Sequence, residues 1–386
     1  MTQRTVCPGC GSIRLSGSFS LSRQPVVLNY RFRTAAEARG VARRDIRLAQ
    51  CRGCGLVFNA VFDPAVVPYD QNYENRQNFS PAFVRYLNRL ADSLRERHGL
   101  SGGRILEVGC GKGDFLRMLC RNAGATGVGF DTSFEAPEGP EQKGVRFERR
   151  YLSPSIVPGE FQLVICRHVV EHVADIGAFL RDLRAIAVAA GDPVVMLETP
   201  RWEWIVRNLC LWDISYEHCN YFHSRTLMHL CRLAGFRKVR HRMTFGGQYQ
   251  VIELRVDPTV NPPTRAPGIP SGGDLRVFSR RAQAHLARLT ARFRRAAGTR
   301  GWAIWGAGAK GVALANQIGG PAPSLVVDSN PAKQGGVLPG TRIPIVSPAD
   351  PRVPELGLIV IANPNYGAEI RRSLRLADFR GAIETL

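Results

Sequence analysis

The chain has 386 residues, room for two or three domains at the usual ~100–200 residues each. Its 44% apolar and 22% charged residues exclude global disorder, and no apolar run reaches the roughly 18–20 residues of a membrane span. Lys and Arg number 52 against 32 acids, a net +20, and only Lys112, Lys143, Lys238, Lys310 and Lys333 are lysines. The arginine excess has two readings: a GC-rich coding bias, or an anionic partner such as nucleic acid or a phosphorylated small molecule. Cys7 and Cys10 stand where a signal peptide would carry its apolar stretch, so the expected location is the cytoplasm. Ten cysteines are too few for a disulfide scaffold in a chain of this length.

In chain order, residues 1–60 hold ten arginines, two acids and two CxxC pairs, Cys7–Cys10 and Cys51–Cys54. Two thiolates two residues apart grip one metal ion, and the glycine after each pair lets the backbone turn so that its amides reach the sulfurs. Four thiolates make a closed, structural zinc site with no open position for catalysis; a redox pair or a metal-free relic are the other readings. The 40 residues between the pairs call for a β-hairpin excursion. Apolar positions 83, 87, 90, 91 and 94 recur at helical spacing. Ser80-Pro81 caps that helix and Gly99 closes it.

From Gly103 the pattern is strand, glycine turn, helix, strand. Strands are expected at 104–108, 126–130, 161–166 and 193–198, with helices at 115–121 and 176–190. Such alternation makes a parallel sheet covered on both faces. Five prolines and three glycines mark 257–274 as a linker. Beyond it Leu275, Phe278, Ala282, Leu286, Leu289 and Phe293 form one stripe of an arginine-rich amphipathic helix. Residues 301–386 repeat the strand–glycine–helix theme. The expected division is 1–62, 63–256, the linker 257–274, and 275–386.

The turn Glu107-Val108-Gly109-Cys110-Gly111-Lys112-Gly113 lets a ligand lie against bare backbone, and the helix start beyond it favours an anion. Asp131 closes the next strand, where a carboxylate suits two ribose hydroxyls. Together with Cys166-Arg167-His168-Val169-Val170-Glu171-His172-Val173 after the fourth strand, this stretch resembles the class I methyltransferases dependent on S-adenosylmethionine (SAM). The resemblance covers roughly residues 100–250. It implies that Glu107, Gly109, Gly111, Gly113 and Asp131 bind the cofactor, with Arg167 or His168 near the sulfonium. His172 falls in an Glu-His pair that has structural roles elsewhere in that superfamily.

Trp212-Asp213-Ile214-Ser215-Tyr216-Glu217-His218-Cys219-Asn220-Tyr221-Phe222 and Phe245-Gly246-Gly247-Gln248 follow. With the four cysteines and the C-terminal α/β region, the layout resembles the three-domain sugar C-methyltransferases. The fold class this implies is α/β: a Rossmann-like SAM core between an N-terminal zinc-binding lobe and a C-terminal Rossmann-like domain. The implied acceptor is a small molecule, a nucleotide-linked keto-deoxysugar methylated beside its carbonyl. Removing an α proton needs a base of near-neutral pKa. His218 is assigned as that base, Glu217 as its partner or a substrate ligand, and Tyr216 or Tyr221 as donor to the enolate oxygen. Ser215 stands where the sugar enzymes favour a Tyr, which leaves the acceptor open.

Trp302–Gly311 contains Gly306, Gly308 and Gly311 in G-x-G-x-x-G spacing, and Asp328 ends the next strand. A role toward substrate phosphate or nucleotide, a structural relic and a bound NAD(P) remain open for it. The rival functions are a small-molecule O- or N-methyltransferase and an rRNA or tRNA methyltransferase with a zinc lobe. RNA binding would fall steeply with salt, but the N-terminal arginines lack interleaved aromatics.

Overall fold

The computed structural model describes residues 3–70, 72–74, 76, 78–136, 142–257, 259 and 274–386. Most of the predicted linker, residues 258 and 260–273, lies outside the described residues.

The N-terminal region forms β1 (Leu15–Pro25), α1 (Ala35–Gly40), β2 (Arg43–Cys51) and β3 (Val57–Asn59). β1 and β2 pair antiparallel, which is the hairpin between the two CxxC pairs. α2 (Pro81–His98) comes next. The Ser80 hydroxyl accepts from the Phe83 amide at 3.2 Å, and Gly99, at φ 56°, ends the helix in the left-handed region. Its face of Phe83, Tyr86, Leu87, Leu90, Ala91 and Leu94 is buried.

The central region continues with β4 (Arg104–Val108), α3 (Asp114–Ala123), β5 (Thr126–Phe130), β6 (Val145–Glu148), β7 (Leu163–Arg167), α4 (Ile176–Ala189), β8 (Val194–Pro200), α5 (Trp202–Asn208), β9 (Asn220–Tyr221), α6 (Ser224–Leu233), β10 (Phe236–Thr244) and β11 (Tyr249–Val256). Seven strands make one sheet in the order β10-β11-β8-β7-β4-β5-β6. Strands β4 to β8 within it are parallel, while β11 runs antiparallel to β8 and β10 antiparallel to β11. The strand order reverses between β4 and β7, which opens a crevice at their carboxyl ends.

The missing strand β9 belongs elsewhere. It pairs with β3, Val57 opposite Tyr221, and completes a four-stranded antiparallel sheet in the order β1-β2-β3-β9. The N-terminal lobe is thus finished by a strand of the central region. The first CxxC loop also docks on α4, where the Gly177 amide donates to the Pro8 carbonyl at 2.9 Å.

α7 (Leu275–Ala297) leads into β12 (Trp302–Trp305), α8 (Ala309–Gln317), β13 (Leu325–Val327), β14 (Ile345–Val346), β15 (Leu358–Ile361), α9 (Gly367–Leu376) and β16 (Ala382–Thr385). The five strands form a wholly parallel sheet, β14-β13-β12-β15-β16, whose order reverses between β12 and β15. The stripe of α7 is buried between lobes: Phe278 meets the rings of Phe19 and Trp202 at 5.3 and 5.0 Å, and Phe293 meets Trp302 at 5.0 Å. Leu275, Phe278, Ala282, Leu289 and Phe293 are buried, and each of the Leu and Phe side chains contributes about 1.5–3 kcal/mol. Arginines 276, 280, 281, 288, 292, 294 and 295 of the same helix occupy its other positions. Among the described residues no helix is long and apolar enough to cross a membrane.

Candidate active site

The crevices of both parallel sheets open into one cavity of about 1480 Å³. Glu107 and Gly109 line it from the end of β4, Arg167 and His168 from β7, Gly306 from β12 and Asn363 from β15. A single small ligand occupies roughly 300–1000 Å³, so this volume has room for two ligands side by side.

The turn after β4 forms one end. Gly109 has φ 73°, and a Cβ there would lie 2.2 Å from Val169 Cγ2. Gly113, at φ 80°, would place one 2.4 Å from the Phe147 ring. Both positions therefore demand glycine. Gly111 donates its amide to Asp131 Oδ2 at 2.8 Å, while Ser133 donates to Oδ1 from its amide and hydroxyl at 2.7 and 2.6 Å. These bonds hold the Asp131 carboxylate at the cavity edge. Glu107 is buried, which pushes its carboxyl up to about 8 although Arg167 opposes the shift. Its Oε2 has no hydrogen-bond partner among the described residues. A buried Glu107 oxygen with no donor, beside bare glycine backbone and the Asp131 carboxylate, suits the amino and hydroxyl donors of S-adenosylmethionine.

Of the two residues expected near the sulfonium, Arg167 is committed elsewhere. Its Nε donates to Glu198 Oε2 at 2.5 Å, and its guanidinium lies 4.2 Å from the Phe115 ring centroid. Burial alone would raise the Glu198 carboxyl, but Arg167 beside it outweighs that and holds it low. His168 is held in the left-handed region at φ 53°, with Nδ1 3.2 Å from Glu171 Oε1. Strain of this kind costs about 1–3 kcal/mol and collects at ligand sites.

The middle of the cavity holds His218 and His172, whose rings meet edge-on at 4.8 Å. Burial, then the neighbouring His172 ring, pushes the His218 imidazole down to about 3, so it is neutral at physiological pH. Glu171 behind them would be raised by burial, but the hydrogen bond from His168 and the nearby histidines hold it at about 2. Tyr69 shares a hydrogen bond of 2.9 Å with His172 Nδ1. Burial and the charge of Glu217 push the phenols of Tyr69 and Tyr73 well up.

Three assignments change in kind. Tyr216 is wholly buried outside the cavity lining, and its hydroxyl accepts from the Asp63 amide at 3.0 Å. The Tyr221 hydroxyl is spent on Ser215, accepting from its amide at 3.1 Å and donating to its carbonyl at 3.2 Å. Neither side chain lines the cavity. Glu217 points away from His218: its carboxylate accepts from the Leu28 amide at 2.5 Å and from the Tyr73 hydroxyl at 2.6 Å. It fastens the N-terminal lobe to the site. Sequence reasoning missed Tyr69 and Tyr73 and set His172 aside. The available signal was two tyrosines four apart, in a stretch with no helical or strand periodicity.

The second glycine turn closes the far end. A Cβ on Gly311 would lie 1.8 Å from the Gly306 carbonyl oxygen. Asp328 accepts from the Ala307 and Asn330 amides at 2.6 and 2.7 Å, the arrangement seen at Asp131. Lys310, in the first turn of α8, forms an ion pair with Asp213 of the central region.

The four cysteine sulfurs of the N-terminal lobe lie within 4.8 Å of one another, with Cys7–Cys54 and Cys10–Cys51 at 3.6 Å. A tetrahedral zinc with ~2.3 Å bonds spaces sulfurs about 3.8 Å apart, so the donor set fits. Amides of Gly9 and Gly53 donate to Cys7 and Cys51 sulfurs at 3.4 and 3.2 Å.

Residues 75–241 match the family described as methyltransferase domain, and residues 268–382 the C-methyltransferase C-terminal domain. The chain is 27% identical to the C-methyltransferase NovU of Streptomyces niveus over 86% of this chain and 84% of that protein. It is 40% identical to a ubiquinone biosynthesis O-methyltransferase of Azorhizobium caulinodans, over 25% of this chain and 40% of that enzyme, less than half its length. Magnesium protoporphyrin IX methyltransferase of Synechocystis PCC 6803 aligns with a TM-score of 0.36 at 17% identity, covering 46% of this chain and 84% of that one.

Proposed function

We propose that this chain, a methyltransferase dependent on S-adenosylmethionine, methylates a carbon α to the carbonyl of a nucleotide-linked keto-deoxysugar. The observation that carries this reading is an imidazole, that of His218, lining the same cavity as the glycine turn of β4. O- and N-acceptors hold their own lone pairs, whereas a carbon must first lose a proton to a base. The likeness to NovU along most of both chains supports it.

Glu107, Gly109, Gly111, Gly113 and Asp131 hold the cofactor, which supplies an electrophilic methyl group when bound. His218 takes the α proton on its free ring nitrogen, and the electron pair moves into the carbonyl to give an enolate. Tyr69, kept protonated by burial, donates to His172 Nδ1 and fixes the tautomer with a proton on Nε2. That N–H hydrogen-bonds the enolate oxygen and stabilises the developing charge. The α carbon, now nucleophilic, would take the methyl as its bond to the cofactor's sulfonium sulfur breaks, that electron pair staying on sulfur as a neutral thioether, and the carbonyl re-forms. His172 thus takes the role first assigned to Tyr216 or Tyr221. Zinc on Cys7, Cys10, Cys51 and Cys54 holds the N-terminal lobe and takes no part in the chemistry.

The test is incubation with S-adenosylmethionine and a panel of nucleotide-linked 4-keto-6-deoxysugars, reading a methyl-sized mass gain and its position. Deuterium wash-in at the α carbon without cofactor reads the base alone. Unchanged turnover of His218→Ala with intact cofactor binding would remove His218 as base, and methylation on oxygen would overturn the reading.

A further inference from the structure

Three consecutive residues just ahead of His218 are each held by the C-terminal lobe. Trp212 Nε1 donates to the Ala362 carbonyl, beyond β15, at 2.7 Å. Asp213 is ion-paired with Lys310 at the start of α8. The Ile214 carbonyl accepts from Gln317 Nε2, at the end of α8, at 3.0 Å. The two ends of α8 therefore hold Asp213 and Ile214, the stretch beyond β15 holds Trp212, and the chain reaches His218 four residues after Ile214. The Lys310–Asp213 pair joins two lobes, and both residues line the cavity with His218. Their side chains are 16% and 10% exposed, so water screens the pair little. The Lys310 ammonium also lies 4.9 Å from the Trp204 ring centroid, which fixes it from a third side.

We propose that Lys310 is a positioning residue for proton abstraction: by seating Asp213 it places the His218 segment, and so makes docking of the C-terminal lobe a condition of catalysis. This rests on the assignment of His218 as base. The second glycine turn then has a purpose besides any ligand. It brings the α8 backbone close enough for the adjacent Lys310 to cross into the neighbouring lobe. Burial and His172 are the main causes that disfavour protonation of His218; His168 and the Lys310 ammonium add to them, and Glu171 opposes them.

The test uses the full-length enzyme as wild type, Lys310→Met, Lys310→Arg and Lys310→Gln, with thymidine-diphosphate-linked 4-keto-6-deoxyglucose as acceptor. Three quantities are read: cofactor Kd by calorimetry, the rate of deuterium wash-in without cofactor, and the His218 titration midpoint by NMR of labelled histidine. Lys310→Met should leave Kd within about twofold. It should slow wash-in roughly tenfold to a hundredfold, as misplacement of a reacting group does, and raise the His218 midpoint. Lys310→Arg should restore both. Wild-type wash-in rate and midpoint in Lys310→Met overturn the inference. Absence of wash-in in the wild type with this sugar instead counts against the proposed chemistry, and the midpoint shift then decides the role of Lys310 alone. Should Lys310→Met fail to fold, Lys310→Gln keeps the hydrogen bond, loses the charge and is read the same way.

Discussion

Replacing Arg167 with Met separates a structural arginine from a cofactor ligand. The guanidinium is paired at 2.5 Å with Glu198, whose side chain is 0% exposed. Removing one partner of a buried pair strands the other charge, at about 3–5 kcal/mol. Glu198 keeps the Tyr86 hydroxyl, and the His168 imidazole lies 3.8 Å away, so the lower end applies, about 3 kcal/mol. For a domain of this size that is a fall of roughly 6–12 °C in the unfolding midpoint. The assay is thermal unfolding followed by circular dichroism, with cofactor affinity measured below the transition. Without Arg167 the Glu198 pKa rises, so the loss is fullest at neutral pH and shrinks as pH falls through the raised pKa. Arg167→Met with Glu198→Gln should be more stable than Arg167→Met alone, because the amide can still accept from Tyr86. A loss below about 1 kcal/mol for the single variant, accompanied by a large loss of cofactor affinity, would refute this reasoning and return Arg167 to the cofactor.

Gly109→Ala should weaken cofactor binding at least tenfold by calorimetry, since left-handed backbone costs alanine about 1–2 kcal/mol and the new methyl meets Val169; adding Val169→Ala should recover part of it. Elemental analysis should find about one zinc per chain, and a chelator or Cys54→Ser should lower the unfolding midpoint; metal-free protein of full stability contradicts this. His218 titrates near 3 in the fold and near 6.5 when unfolded, so the unfolded chain binds the proton first as pH falls. Stability, measured by urea midpoint, should therefore drop between pH 6.5 and 3, by up to about 1.4 kcal/mol per unit, and His218→Asn should flatten that slope.

Local signals in the chain carried far. The glycines at 109, 111 and 113, the carboxylate at 131 and the two CxxC pairs are each legible because backbone conformation and ligand spacing act over a few residues. The stripe of α7 is legible because helical period alone decides which side chains share a face. The segment 211–222 has neither period nor repeat, so nothing local says that Tyr216 and Tyr221 turn inward while His218 faces the cavity. His172 lies beside His218 only because the chain reverses in a short 3-10 turn at Val170–His172 after β7. Glu217 reads as a partner of His218 by adjacency, yet its carboxylate is claimed by Leu28 and Tyr73, contacts set by the tertiary fold.

The exchange of β9 between regions makes the N-terminal sheet depend on a contact of long sequence separation. That sheet lacks its fourth strand unless Asn220 and Tyr221 of the central region pair with β3. The long loop this closes is slow to form and is repaid only when the central region is nearly complete. The closing strand starts two residues after His218. The segment that carries the proposed base is therefore tied to the N-terminal lobe through β9 and to the C-terminal lobe through Lys310.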